Sequence, residues 1–187
     1  MKKNFTADYL GCILFRLLGF FIRRTSKTAV LFLGRRFGDF FYYFDYKHKT
    51  LAYSNIKKAL GDTLTPPQLN RLTREFYQTL GQNLVEIFFI PLVNKEYMRK
   101  YVRVEGQENI WSAFKKGKGV IFLAVHEGSW ELSNIISANL GFPFSMLVRD
   151  QGKYPRVQEL LNSYRSQQGC KLIHRQDQTR QLIEVLK

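Results

Sequence analysis

From residue 102 onward, short apolar runs alternate with amphipathic stretches, and this alternation restricts the possible folds more than any other feature. The apolar runs predict strands. The amphipathic stretches predict helices, and three of them end at Gly117, Gly141 and Gly169, where glycine is typical of a helix C-terminus. Strands separated by helices of this length usually lie parallel in one sheet. The predicted fold class is therefore α/β, a helical N-terminal region followed by alternating strands and helices around a largely parallel sheet.

The spacing of apolar residues sets the predicted elements of this part of the chain. The strands are predicted at residues 102–105, 120–125, 144–148 and 171–173. The run at 120–125 is continuously apolar, which is typical of a strand buried on both faces. The helices are predicted at residues 109–116, 131–140, 157–168 and 179–187.

The N-terminal half of the chain predicts helices. Residues 47–60 carry apolar side chains at helical spacing and end at Gly61. Thr65 followed by Pro66 is a typical helix start, an N-cap and then proline at the first helical position. The apolar stripe that follows continues to near Pro91 and predicts one long helix.

Residues 1–33 are expected to associate with a membrane, as a segment separate from a second domain at residues 34–187. Residues 9–22 are strongly apolar, but Arg16 interrupts the run and no small-residue cleavage site follows, unlike in a signal peptide. No uninterrupted span of about 20 apolar residues is present, so a helix lying in the headgroup plane fits better than a transmembrane helix. A core helix of a soluble domain is the alternative. Since the final predicted helix has no cap or polar tail, the second domain is expected to be incomplete at its C-terminus.

The charge balance indicates an anionic partner. The 29 Lys and Arg residues exceed the 15 Asp and Glu residues by 14 in a chain of 187 residues. Such a surface favours nucleic acid, anionic lipid or an acidic carrier protein. Nucleic acid is disfavoured because the basic residues are scattered and no recognition motif is present. The two cysteines, Cys12 and Cys170, form neither a disulfide framework nor a zinc-binding spacing, which fits a reducing compartment.

A candidate catalytic base lies at the end of the apolar run 120–125. His126 follows the run, and Glu131 comes five positions later, where the next helix is predicted to begin. Gly128 permits a tight turn, and Ser129 is a candidate N-cap. The carboxylate can accept a hydrogen bond from the imidazole, which leaves the other ring nitrogen free to remove a proton from a hydroxyl. In open α/β sheets ligands bind beyond the carboxyl ends of the strands, where this sequence places the histidine.

Three other interpretations of this motif compete with a catalytic base. A zinc protease requires H-E-x-x-H, but Trp130 occupies the position of the second histidine. A serine nucleophile requires G-x-S-x-G, whereas Ser129 lies within Glu-Gly-Ser-Trp-Glu. The third interpretation is a lone histidine at a strand end, with Glu131 serving only as a charge at a helix start. The spacing alone leaves this interpretation open.

Residues 119–131 resemble the motif region of the lipid A biosynthesis acyltransferase family, the late lauroyl and myristoyl transferases, in which an apolar strand is followed by H-F-G-N-W-E. The resemblance extends over about residues 30–187. Glu127 and Ser129 stand where the family usually has Phe and Asn. Other segments resemble the family's blocks in order: L-A-Y-S-N-I-K-K-A-L at 51–60, the helix at 76–88, V-R-V-E-G at 102–106, V-R at 148–149 and the block at 162–175.

This resemblance implies a glycerolipid-acyltransferase-like fold and an enzyme that transfers a fatty acyl group. The donor would be acyl carrier protein or a coenzyme A thioester as co-substrate, and no bound cofactor or metal is implied. The acceptor would be a hydroxyl of a lipid A precursor or a related glycolipid. The implied location is the cytoplasmic face of a bacterial inner membrane. The partners would be acyl carrier protein, anionic membrane lipid and the glycolipid acceptor, with no nucleic acid.

The resemblance also implies roles for individual residues. His126 would be the general base, and Glu131 would orient it. Guanidinium groups suit the recognition of phosphate, and backbone N–H groups near the motif glycine are candidate donors to the reaction's oxyanion. The implied substrate-binding residues are Arg149, Arg165, Arg175, Gly128 and Ser129.

Two alternative functions stay open on the sequence. A glycerolipid, or lysophospholipid, acyltransferase shares the H-x4-acid pattern but usually has Asp at the position of Glu131. A non-catalytic basic membrane-binding module would account for the charge and the apolar N-terminus without any chemistry at His126.

Overall fold

The computed structural model describes residues 5–141, 144–149, 152–174 and 178–186. Most of these residues are helical. The described strands form one two-stranded parallel sheet. The broad α/β prediction is therefore confirmed, but the sheet is smaller than expected. The helices are α1 (Phe5–Ile22), α2 (Lys27–Phe44), α3 (Tyr46–Leu60), α4 (Pro66–Glu86), α5 (Lys95–Tyr101), α6 (Gln107–Phe114), α7 (Trp130–Ala138), α8 (Pro155–Arg165) and α9 (Gln178–Leu186). The strands are β1 (Ser145–Val148) and β2 (Lys171–His174), paired in register from Ser145 opposite Lys171 to Val148 opposite His174.

The chain divides into two compact units, a helical unit and a sheet unit. The helical unit comprises Phe20–Phe89 together with Glu127–Ser129. The sheet unit comprises the described residues within Met1–Gly19, Ile90–His126 and Trp130–Lys187. The boundary predicted at residue 33 concerned membrane association, and it stays a prediction.

In the helical unit, α2 and α4 pack so closely that their backbones touch. A Cβ atom added at Gly38 would lie 2.1 Å from the carbonyl oxygen of Tyr77, and one added at Gly81 would lie 2.2 Å from that of Gly34. Only glycine, which lacks a side chain, permits this approach. Leu69, with 2% of its surface exposed, is part of the core of this unit.

A partly buried polar cluster joins the same two helices. Asp39 of α2 accepts hydrogen bonds from Arg74 Nε at 2.7 Å and from Gln78 Nε2 at 2.7 Å. Arg35 Nε in turn donates to Gln78 Oε1 at 3.0 Å. The hydrogen bond from Arg74 holds the pKa of the Asp39 carboxyl below its usual value, against the opposing effect of burial.

The N-terminal helices begin and end where local sequence signals place them. Helix α3 ends at Leu60 with Gly61 as its C-cap. Helix α4 begins at Pro66, and Gln68 Oε1 accepts from the backbone N–H of the N-cap Thr65 at 2.8 Å, which is half of a capping box. The predicted long helix is interrupted only near its end, where a 3-10 helix, Ile87–Leu92, continues from α4.

The sheet unit has its own core. Helix α7 buries Leu132, Ile135 and Ala138, which recur at helical spacing along one side. Val148 of β1 and Ile173 of β2 are buried as well. Helix α7 packs against α8 and against a 3-10 helix at Gln167–Gly169, and α9 packs against β2. The predicted helices and strands from residue 131 onward are thus present within two or three residues of their expected bounds.

Two predicted strands are wrong. Residues 102–105 and 120–125 are in irregular backbone, and the second segment is exposed, with 81% of Ile121 and 94% of Leu123 accessible. The backbone hydrogen bonds of a sheet join neighbouring strands, and within the described ranges β1 and β2 pair only with each other. An apolar run indicates a tendency to be buried, but it does not show whether a neighbouring strand is present.

The N-terminal segment forms α1, and a buried carboxylate near its start contacts α8. Asp8 is 1% exposed, and its carboxylate accepts hydrogen bonds from the backbone N–H groups of Arg156 and Val157 at 3.1–3.3 Å. These N–H groups belong to the first turn of α8, so Asp8 caps that helix from a distant part of the chain. Helix α1 is long and apolar enough to cross a membrane, and only 11% of its apolar window is buried.

Candidate functional site

His126 lies in irregular backbone shortly before α7. Its side chain is exposed, and its ring packs beside that of Trp130, with 5.5 Å between the ring centroids and 41° between the planes. The predicted position at the carboxyl end of a strand is wrong, because residues 120–125 form no strand. The predicted helix start after the histidine is present.

Glu131 lies in the first turn of α7 and is held by Arg165, in the last turn of α8. Arg165 Nε donates to Glu131 Oε2 at 2.8 Å, and its Nη2 donates to Oε1 in a second, shorter hydrogen bond. The two side chains are 16% and 19% exposed, so the pair is largely removed from water. Each charge also lies at the helix end whose dipole favours it. A bidentate, charge-assisted pair of this kind fixes the orientation of both side chains.

The contact between His126 and Glu131 that the sequence predicted is not among the hydrogen bonds of the described residues. The carboxylate is occupied by Arg165 instead. The resemblance implied that Arg165 contacts an anionic substrate, and in the structure its guanidinium pairs with Glu131. The substrate contact stays a prediction. The catalytic assignments of His126 and Glu131 are not tested by this arrangement and stay predictions.

Gly128 and Ser129 belong to the helical unit. Gly128 has a positive φ of 57°, as the predicted tight turn requires, and its carbonyl oxygen accepts a hydrogen bond from Asn83 Nδ2 at 2.7 Å. Ser129 Oγ is buried and has no hydrogen-bond partner in the described part of the chain. The predicted capping of α7 by this hydroxyl is therefore wrong, since a cap must accept from a backbone N–H. Substrate contacts by either residue stay predictions.

The remaining predicted arginines are Arg149 and Arg175. Arg149 directly follows β1, as the sequence predicted, and its side chain is exposed. Arg175 lies outside the described residues. The described residues contain no group of three or more His, Cys, Asp or Glu side chains placed to hold a metal.

Two features of the sheet unit were not predicted from the sequence. In the sequence Trp130 only excludes a zinc site, yet its ring packs on the candidate base. No role was predicted for Asp8, although a carboxylate inside an apolar helix indicates a specific partner. The partner itself could not be inferred, because the capped N–H groups lie 148 and 149 positions away.

A comparison with protein families matches residues 2–187 to the family described as "Bacterial lipid A biosynthesis acyltransferase". The match covers the H-x4-E motif and almost the whole chain. Comparisons with curated proteins and with solved structures gave no significant match.

Proposed function

Since the chain belongs to the bacterial lipid A biosynthesis acyltransferase family, we propose that it transfers a fatty acyl group from acyl carrier protein, or from coenzyme A, to a hydroxyl of a lipid A precursor or related glycolipid. The family match over residues 2–187 carries this proposal. Acyl transfer in lipid A biosynthesis follows from the family itself. The donor, the acceptor and the residue roles are the proposed part.

The reaction proposed at His126 is a general-base-catalysed attack on a thioester. The imidazole takes the proton of the acceptor hydroxyl while the oxygen forms a bond to the thioester carbonyl carbon. The tetrahedral intermediate then breaks its carbon–sulfur bond, and the leaving thiolate takes a proton from the imidazolium. The exposed position of the side chain supports this role, because both substrates must reach it from solution or from the bilayer.

Glu131 is proposed to orient and stabilise the imidazolium while Arg165 holds the carboxylate in place. A carboxylate can accept about four hydrogen bonds, so the pair with the guanidinium leaves capacity for a bond from the ring. The side chain of His126 must rotate to make that bond. Arg165 is then proposed as a positioning residue for Glu131, and the contact with substrate that the resemblance implied stays a prediction.

The other proposed roles rest on position and chemistry. Arg149 is proposed to contact an anionic group of donor or acceptor, since its exposed guanidinium follows β1. Backbone N–H groups near Gly128 are proposed as oxyanion donors. A glycerolipid-acyltransferase-like form of the fold is proposed from the family alone.

The proposed location is the cytoplasmic face of the inner membrane, with residues 1–33 as the membrane-associating segment. Helix α1 supports it by length and apolar composition, although core helices and signal sequences share these properties. The net charge of +14 supports attraction to anionic lipid and to an acidic carrier protein. No bound cofactor is proposed.

The test is an acyl-transfer assay with mass spectrometry of the lipid product. The full chain is incubated with acyl carrier protein or coenzyme A thioesters and with a lipid A precursor, and in parallel with a lysophospholipid. We expect the lipid A precursor to gain one acyl chain. Acylation of the lysophospholipid alone would replace the proposal with a glycerolipid acyltransferase.

Variants assign the residues. His126→Ala is expected to lower kcat/KM by about 10²–10⁴-fold, the usual contribution of a general base. Arg165→Lys keeps the charge but loses the bidentate geometry, so its main effect should be on kcat. Arg99→Gln changes an exposed arginine of the same unit and should leave activity unchanged. Full activity of His126→Ala would remove this histidine from the mechanism.

A further inference from the structure

A groove of about 610 Å³ lies between α1 and α8 in the sheet unit, and neither the family match nor the candidate catalytic residues assign it a role. The Asp8 carboxylate fixes the two helices beside the groove by capping α8. Gly11 also lies against α8, because a Cβ added there would be 3.5 Å from Val157. The groove is thus held open between two helices that make specific contacts.

The polar lining of the groove carries an excess of positive charge. Arg16 and Arg156 lie on it, against one carboxylate, Glu159. The guanidinium of Arg156 is 5.2 Å from the centroid of the Tyr9 ring, a cation–π contact. No ion pair of either arginine is found among the described residues. Two exposed guanidinium groups without carboxylate partners are suited to bind an anion such as a phosphate.

The apolar lining continues onto the exposed side of α1. Ile13 and Leu160 line the groove. Along α1, Leu10, Leu14 and Leu17 are 52–59% exposed, so apolar surface extends from the groove along the helix. Arg16 interrupts this apolar helix and places a positive charge beside the apolar surface.

We propose that this groove binds one glycerophospholipid, with its phosphate between Arg16 and Arg156 and an acyl chain along Ile13 and Leu160. A free anion would use the arginines but leave the apolar lining exposed to water. A purely apolar ligand would leave both guanidinium groups without a counter-charge. A phospholipid places its phosphate at the arginines and its acyl chain on the apolar lining. It can reach the groove from a bilayer along the apolar side of α1. The bound lipid would hold the sheet unit at the membrane independently of the acyl-transfer reaction.

The alkylation rate of Cys12 measures whether a lipid occupies the groove, because this cysteine lines it. Cys170 serves as an internal reference, since it is 4% exposed and burial raises the pKa of its thiol. The full chain in neutral detergent micelles is alkylated with N-ethylmaleimide, and modification at each cysteine is followed by peptide mass spectrometry. The probes are dioleoyl phosphatidylglycerol, dioleoylglycerol and glycerol 3-phosphate at equal concentration. We expect only phosphatidylglycerol to slow alkylation of Cys12, by about tenfold or more.

Charge variants test the phosphate contact. Arg16→Gln combined with Arg156→Gln should abolish the protection, while two matched replacements elsewhere, Arg99→Gln with Lys116→Gln, should retain it. The four side chains are exposed, so the two double variants remove the same charge without removing a buried group. Circular dichroism checks that each variant is folded.

Native mass spectrometry supplies a readout that does not depend on the cysteine. The wild-type chain should retain one phosphatidylglycerol, and Ser163→Trp, which fills the groove without changing its charge, should retain none. His126→Ala should still bind, so a failure of the proposed catalysis would not affect this result. Equal protection by dioleoylglycerol or by glycerol 3-phosphate, or loss of protection in the control double variant, would overturn the proposal.

Discussion

The α2–α4 pair of the helical unit mixes apolar and polar residues and buries part of its apolar side chains, whereas the segment 120–125 of the sheet unit is entirely apolar and largely exposed. Leu69 of α4 is 2% exposed, whereas Leu123 is 94% exposed. A helix forms its backbone hydrogen bonds internally and needs only one apolar neighbour, which α2 provides to α4. A strand needs a neighbour for its backbone as well as for its side chains. A helix can therefore bury one apolar side against a single neighbouring helix, whereas an apolar run without a partner strand stays exposed.

The sharpest way to measure this contrast is one substitution made in both regions. Leu69→Ala should lower the free energy of unfolding by about 2–5 kcal/mol, because it removes buried methyl groups and leaves a cavity. Leu123→Ala should change it by less than about 0.5 kcal/mol, as exposed positions do. Urea titration followed by circular dichroism measures both. A cost at Leu123 equal to that at Leu69 would show that the segment is paired in solution and would remove the contrast.

Glycine substitutions test whether the α2–α4 contact depends on backbone approach. Gly38→Ala should cost about 1–3 kcal/mol, because the new methyl group would meet the carbonyl oxygen of Tyr77 at 2.1 Å. Gly11→Ala, also in a helix, meets only an ordinary van der Waals contact and should be neutral or slightly stabilising. Thermal unfolding of the two variants provides the comparison. Equal Tm values for them would contradict close packing at Gly38.

The polar cluster predicts an acid-labile helical unit. The pKa of Asp39 is lowered in the folded state, chiefly by Arg74, so its contribution is present above the unfolded pKa of about 3.8 and is lost as pH falls through the lower folded pKa. Stability should therefore decline as pH falls below about 4, and Asp39→Asn should weaken this decline. Urea midpoints measured from pH 7 to pH 2 would reveal the difference. An Asn variant with the pH profile of the wild type would contradict the assignment.

The smallest expected effect concerns two serines near helix starts. Ser26 Oγ accepts from the backbone N–H of Ala29, so Ser26→Ala should cost about 0.5–2 kcal/mol. The hydroxyl of Ser129 makes no described hydrogen bond, so Ser129→Ala should be neutral or slightly stabilising. Differential scanning calorimetry can resolve the two. A larger loss at Ser129 than at Ser26 would indicate a bond to water or substrate.

Local signals in the sequence predicted most of the helices. Thr65 and Pro66 start α4 as expected, and Glu131 lies in the first turn of α7. These outcomes depend on residues within one or two turns of each other. Segment 120–125 and the partner of Glu131 depend on residues far away in sequence. Arg165 lies 34 positions from Glu131, and no spacing rule connects them.

The candidate site divides in the same way into local and long-range features. The chemistry of His126 and Glu131 and the family motif are properties of the residues themselves, so the sequence predicts them. The ion pair between Glu131 and Arg165 and the packing of Trp130 on the histidine are properties of the assembled chain. The pairing of the Glu131 carboxylate with the guanidinium of Arg165, rather than with the imidazole of His126, is evident only from the structure.

The bond between Asp8 and the first turn of α8 also sets an order of events during synthesis. Its two ends are 148 positions apart, so the ribosome must add residues for roughly 10 s or more after making α1 before the bond can form. During that interval the apolar side of α1 has no α8 to pack against. Helix α1 would therefore be free to contact a bilayer before α8 exists. The hydrogen bonds of Asp8 to the first turn of α8 would form afterwards.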